Sequence, residues 1–294
     1  MHKRGTEELH PDAPGLDARP LSEIAAILLD GQMAALASMD ASRTSIAAAA
    51  ELMADAIRAG KCLHYAAAGS SGLMALADAS ELEATFGLDA SRIALHMAGG
   101  VPVDARMPGA TEDDDASARA ATATVAEGDV VIALSASGTT PYPLAFLDVA
   151  RSRGARTIAI ANNPGAPIFE GADISILLPT PPEVLAGSTR MGAGTAQKAA
   201  LNMMSTLMGI ALGHVHDGMM VNVLAENAKL RRRAAGMVSR IAGVPEATAA
   251  DCLAETGGKV KPAVLLALGA GSLAKAEELL EQSRGHLRPA MAQI

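Results

Sequence analysis

The chain has 294 residues, half of them hydrophobic and 19% charged, with a formal net charge of −8. That acidic balance argues against non-specific binding to nucleic acid or to acidic membranes, which need basic patches. With 2% aromatics and no Trp, a base-stacking platform is not expected either. The two cysteines, Cys62 and Cys252, exclude a disulfide framework or an all-cysteine zinc site and point to a reducing, cytoplasmic setting. The longest charge-free stretches are broken by prolines, glycines and polar residues. No spanning segment and no signal peptide is therefore expected.

In chain order, residues up to about Ala18 read as an extended arm rich in Pro, Asp and Gly. Two helices follow, one after Pro20 and one introduced by Asp40 as its cap and closed by Gly60. Short apolar runs then alternate with helical segments, at 61–67, 92–97, 129–135, 156–161 and 173–179. Each run is continuous rather than alternating, as in strands buried on both faces. Strand–helix alternation predicts right-handed crossovers and a parallel sheet covered by helices. Helices dominate from about 192 to 233. The tail from about 242 shows three short helical patterns separated by glycines. The division expected is 1–240 for the α/β domain with its arm and helices, and 241–294 for a small helical subdomain.

Ligands of open α/β sheets bind beyond the carboxyl ends of the strands. Those ends carry Gly69, Ser70 and Ser71 after the first run, and Gly99-Gly100 after the second. Ser135, Ser137, Gly138, Thr139 and Thr140 follow the third, and Ser188 and Thr189 come after the fifth. Glycines let amides approach an anion, hydroxyls supply donors, and each following helix adds its dipole, a set that suits phosphate. Turn chemistry alone explains any one of these loops; their recurrence at one edge points to phosphate. No G-x-G-x-x-G motif and no P-loop lysine is present, so no nucleotide cofactor is expected.

These loops resemble the sugar-isomerase (SIS) phosphosugar-binding fold, and more closely the N-acetylmuramic acid 6-phosphate etherases. The likeness covers nearly the whole chain. It includes Thr6-Glu7, Asp78-Ala79-Ser80-Glu81, Glu112-Asp113, Asn163-Pro164-Gly165 and Pro182-Glu183-Val184. Gly187-Ser188-Thr189-Arg190 and Ala193-Gly194-Thr195-Ala196-Gln197-Lys198 are its most specific blocks. The resemblance implies a three-layer αβα sandwich on a five-stranded parallel sheet (SIS-type, flavodoxin-like), with N-terminal helices and a helical tail. It also implies a homodimer with sites near its interface, no cofactor and no metal. The implied reaction is cleavage of the C3 lactyl ether, with Glu81 and Glu112 as the acid–base pair.

Leu73 and Thr139 stand where the family usually has arginines, and Glu83 adds a second acid near Glu81. Taken without the family, Glu81 reads as a helix-end or surface carboxylate. Glu112 reads as an N-terminal acid on a helix starting near Thr111. An aldose–ketose isomerase and a non-catalytic sugar-phosphate sensor on the same fold are the alternative functions. His214-Val215-His216 reads as a helix exit rather than a metal site, and His64 and His96 as satisfied core residues.

Overall fold

The structure, a computed structural model, describes residues 5–225 and 227–294. The chain forms two compact units, 1–80 with 91–205, and 81–90 with 206–294.

The first unit begins with two 3₁₀ turns, Gly5–Glu7 and Leu16–Ala18, then α1 (Leu21–Ala37) and α2 (Arg43–Arg58). The first four residues of the expected arm lie outside the described residues. The rest is not free: Thr6 is buried, and its backbone N–H donates to Asn163 Oδ1 at 3.3 Å while Asn163 Nδ2 donates to Thr6 Oγ1 at 3.0 Å. Asp40 does not cap α2. It lies in the 3₁₀ turn Ser38–Ser42, where it pairs with Arg43, and the N-cap is Ser42. The run Leu21–Arg58 is long and apolar enough, by length and composition, to cross a membrane, although the sequence led us to expect no spanning segment. The 3₁₀ turn breaks it, and α2 packs against β1, β3 and β5 of the sheet introduced next.

The sheet and its connections follow: β1 (Leu63–Ala67), α3 (Gly69–Ala79), β2 (Ile93–Met97), α5 (Asp115–Ala121), β3 (Val130–Ser135), α6 (Pro141–Ser152), β4 (Arg156–Ala161) and β5 (Ile174–Leu177). The short helix α4 (Leu82–Phe86) belongs to the second unit. All five strands are parallel, in the order β2-β1-β3-β4-β5. The crossover β1→β2 runs one way along the sheet and β2→β3 runs back. Right-handed connections therefore place α3 on one face and α5 and α6 on the other. Under α5 and α6 the sheet offers Ala66, Ala133, Ala159 and Ala161, small residues that admit Tyr142 and Phe146. The central strands β1 and β3 are wholly buried. The edge strands β2 and β5 are not buried on both faces as expected, because each has a neighbour on one side only.

The last helix of the first unit, α7 (Gly192–Ala211), continues into the second. The expected helical run to 233 is interrupted there by a hairpin, β6 (Val215–His216) and β7 (Met219–Met220). Asp217 and Gly218 turn it with φ of 46° and 75°, the left-handed pair a tight hairpin requires. His216 thus lies on a strand, with His214 just before it, rather than on a helix exit. Helices α8 (Ala228–Ala242), α9 (Glu246–Glu255), α10 (Val260–Ala267), α11 (Leu273–Gln282) and α12 (Leu287–Met291) complete the unit around a core of Val238, Leu253, Val264 and Leu287. The tail beyond 242 therefore has four helices rather than three, the last introduced by the Gly285 turn.

Candidate active site

In the first unit the strand order reverses direction between β1 and β3, so a crevice opens at their carboxyl ends. The two loops that the hydroxyl and glycine residues singled out are the ones that flank it. Gly69, Ser70 and Ser71 form the first turn of α3. Its N-cap, Ala68, makes no side-chain cap. Gly69 and Ser70 are half-buried, and Ser71 is buried.

The loop after β3 is knit to itself. Ser135 Oγ is buried, accepts the Gly138 N–H at 3.0 Å and lies 2.8 Å from Thr140 Oγ1. Ser137 Oγ accepts the Thr139 N–H at 3.2 Å and lies 3.1 Å from Thr139 Oγ1. Gly138 has φ 71°, and a Cβ there would collide with Ala166. From behind, Asn163 Nδ2 reaches the Ser137 carbonyl at 3.3 Å, so the docked Thr6 supports this loop through Asn163. Ser137, Thr139 and Thr140 remain half-exposed and able to meet a ligand.

The dipole contribution expected of each following helix is not uniform. In α6 the first residue is Pro141, which has no N–H, and the Tyr142 N–H donates to the Glu112 carbonyl at 3.0 Å. In α7 the N–H groups of Gly192 and Ala193 both donate to the buried carboxylate of Glu183, each at 2.9 Å. Ser188 and Thr189 are half-exposed in the turn before α7, where a Cβ built on Gly187 would stand 3.9 Å from Glu7 Oε2.

Glu112 is not a helix acid. Helix α5 starts at Asp115, and its N-cap is Asp114, whose carboxylate accepts the Ser117 N–H at 2.9 Å. The loop before α5 instead carries Glu112 into the crevice. Its carbonyl accepts the Tyr142 N–H of α6, and its Oε1 stands so close to Gly69 that a Cβ there would collide with it. One carboxylate therefore sits between the β1 and β3 loops. Glu81 lies in the second unit, directly before α4, with an exposed side chain that caps no amide. Phe86 and Gly87 end α4, where Asn222 Nδ2 donates to the Phe86 carbonyl at 2.8 Å.

The structure also reveals groups that no sequence motif had singled out for a role. Asp78, buried at the end of α3, accepts from Tyr65 Oη at 3.1 Å, Asn202 Nδ2 at 2.9 Å and Ser205 Oγ at 3.0 Å. Burial raises its pKa, and those donors together with the Lys198 charge oppose the rise. His64 and His96 are satisfied, as expected, and they are joined to each other. His64 Nε2 lies 3.2 Å from Asp129 Oδ2 and its Nδ1 lies 3.0 Å from His96 Nε2. An ionised carboxylate only accepts, so His64 donates from Nε2 and accepts at Nδ1 from the His96 N–H. In the second unit, Lys261 Nζ donates to the Gly285 carbonyl at 3.1 Å, and burial lowers its pKa to about 8. No group of three His, Cys, Asp or Glu side chains is gathered for a metal among the described residues. A roomy cavity of about 550 Å³ lies in the second unit, lined in part by Val221, Val223, Gly257 and Lys259, and holds none of the expected site residues.

A five-stranded parallel sheet with hydroxyl-rich loops at its switch point defines a doubly wound α/β protein with loops suited to an anion. The SIS domain family matches residues 31–162. In solved structures the same fold recurs in a protein from Bacteroides fragilis described as a phosphosugar isomerase involved in capsule formation (18% identical, 68% of this chain and 95% of that one, TM-score 0.54). It recurs also in a protein of E. coli CFT073 solved with a bound ligand (17% identical, 67% and 94%, TM-score 0.52). Full-length relatives are more telling. The N-acetylmuramic acid 6-phosphate etherase of Deinococcus radiodurans is 39% identical over 99% of this chain and 96% of its own. That of Burkholderia lata is 40% identical over 98% and 96%. The chain belongs to the N-acetylmuramic acid 6-phosphate etherase family.

Proposed function

We propose that this protein is a carbon–oxygen lyase that cleaves the C3 lactyl ether of N-acetylmuramic acid 6-phosphate, giving N-acetylglucosamine 6-phosphate and D-lactate. The observation that carries the reading is the Glu112 carboxylate set between the two loops of the switch point, against Gly69. A phosphate held by Ser70, Ser137, Thr139 and Thr140 leaves the sugar chain within reach of that carboxylate.

In the open-chain sugar the C2 proton is acidified by the C1 aldehyde. Glu112 takes it, and the electron pair left at C2 forms the C2=C3 double bond as the C3–O bond breaks. Glu81 supplies the proton that lets lactate leave, and water then adds at C3. Each proton transfer is worth ~10²–10⁴-fold in rate. Burial of Ser71, Ser135 and Gly138 assigns them to shaping the loops more than to ligand contact. The protein works as a cytoplasmic homodimer. Support for the dimer comes from α1, where Leu29, Met33 and Leu36 form one exposed apolar stripe and only Ala35 is buried.

Isotope exchange tests the roles. Both Glu81→Gln and Glu112→Gln retain substrate binding and lose turnover by ~10²-fold or more. In deuterated buffer, Glu112→Gln abolishes exchange of the C2 hydrogen, whereas Glu81→Gln still exchanges it while releasing no lactate. Full turnover in both variants would overturn the mechanism.

A further inference from the structure

In the first unit, a cleft of about 390 Å³ opens between α1, α3 and α7, lined by Leu36, Met74, Arg190, Thr195, Lys198 and Asn202. Two of these are cations. Arg190 is exposed and pairs with no carboxylate among the described residues. Lys198 Nζ donates to Asn202 Oδ1 at 2.8 Å, which leaves further N–H donors unused. The nearby acid is Asp78, but its two oxygens are taken up by Tyr65, Asn202 and Ser205. Thr195 is turned away, with its hydroxyl donating to Gln32 Oε1 at 2.5 Å. The cleft therefore offers a guanidinium and an ammonium beside the apolar walls of Leu36 and Met74.

We propose that Arg190 and Lys198 form the subsite that takes the carboxylate of the substrate's lactyl group, with its methyl against Leu36 and Met74. The proposal rests on the etherase reading and adds to it a seat for the leaving group. The subsite adjoins the expected phosphate site along the chain at two points. Arg190 follows Thr189, and Met74 lies one turn from Ser70 on the same face of α3. It also answers the sequence departure. Leu73 and Thr139 hold no charge where the family usually has arginines, so recognition of a second anion falls to cations elsewhere, and a guanidinium is the side chain best shaped for a carboxylate.

The test compares ligands with and without the carboxylate. Arg190→Ala and Lys198→Met are assayed for lactate release from N-acetylmuramic acid 6-phosphate and titrated with N-acetylglucosamine 6-phosphate, which has no lactyl group. The expected result is a rise in KM of about 10- to 100-fold for each variant, the loss of a charge-assisted hydrogen bond, with affinity for the second ligand unchanged. Arg190→Lys recovers part of the loss. An equal loss for both ligands, or an unchanged KM, overturns the subsite. A shift from dimer to monomer in sedimentation at unchanged KM overturns it too, by making Arg190 a contact to a second copy. If the wild-type protein releases no lactate, the etherase reading falls and the subsite with it. If it does and KM does not move, the subsite alone falls.

Discussion

Gly69 and Glu112 are the residue pair on which the site turns. At φ 53° Gly69 already sits where L-residues are strained, and any Cβ would collide with the Glu112 carboxylate oxygen. Gly69→Ala should therefore displace the carboxylate while leaving the sheet intact. The expected outcome is a loss of turnover of about 10²-fold with unfolding free energy lowered by about 1–2 kcal/mol, read from lactate release and urea denaturation. The buried pair His64 and His96 sets a second residue-scale property. Burial lowers both pKa values, that of His96 to about 4 from an ordinary 6.5, while Asp129 opposes the fall at His64. The unfolded chain then binds protons below pH 6.5 that the folded chain does not. Stability should decline as pH drops from about 6.5 toward 4, by up to about 1.4 kcal/mol per pH unit for His96, with the lowered His64 adding to the same fall. Burial pushes the Asp129 carboxyl up, but amide bonds from Cys62 and Ala126 and the contact with His64 hold it lower. Its contribution is lost only at still lower pH. Urea midpoints at pH 7, 6 and 5 measure the slope, and His96→Gln should flatten it.

Helix α7 shows how an element's end is settled by tertiary structure. Its first two amides are satisfied by Glu183, nine and ten residues upstream, in a Pro-Pro-Glu segment with no local capping pattern. Glu183→Ala would leave two buried N–H groups without an acceptor and should cost about 2–4 kcal/mol, with Glu183→Gln restoring part of it in the same urea titration. That carboxylate also occupies the positive end of the helix, which makes α7 a poor anion site at its terminus. The hairpin β6–β7 is the opposite case. Its Asp217-Gly218 turn is a strong local signal, masked in the sequence by the apolar, uncharged run before it. The strands β1 and β3 were legible because parallel strands at a sheet centre need apolar residues on both faces. The edge strands read the same way in sequence, although most of their residues are only half-buried.

For the molecule as a whole, the exposed face of α1 sets the expectation. Leu29 and Met33 are each 59% exposed and Leu36 43%, three residues on one helical stripe with nothing of this chain over them. A double substitution, Leu29→Glu with Met33→Glu, should convert the proposed dimer to monomer at micromolar concentration in sedimentation velocity, with the melting of the α/β unit little changed. A wild-type monomer under those conditions would remove the dimer from the reading. Glu112 belongs to the α/β unit, while the segment of Glu81 packs within the helical unit through Phe86, Gly87 and Asn222.

By itself, the sequence determined the alternation of strand and helix, the hydroxyl-rich loops at the carboxyl edge, and the family, because each is written in local composition or in contiguous motifs. It placed Glu112 as a candidate only through the likeness to that family. Glu112 looked like one of four consecutive acids, and nothing local distinguishes it from Asp113, Asp114 and Asp115. What separates them is long-range: Asp114 caps α5, whereas Glu112 bonds α6 through its carbonyl and meets Gly69 through its carboxylate. The same holds for Thr6 on Asn163, for Glu183 on α7 and for the cleft of Arg190 and Lys198. Thr6 meets Asn163 across 157 residues of chain, whereas Glu183 reaches α7 over nine and ten. Hydrogen bonds and charges act over a few ångströms of space, whatever the separation along the chain, so only the tertiary structure decides which of many polar residues meet.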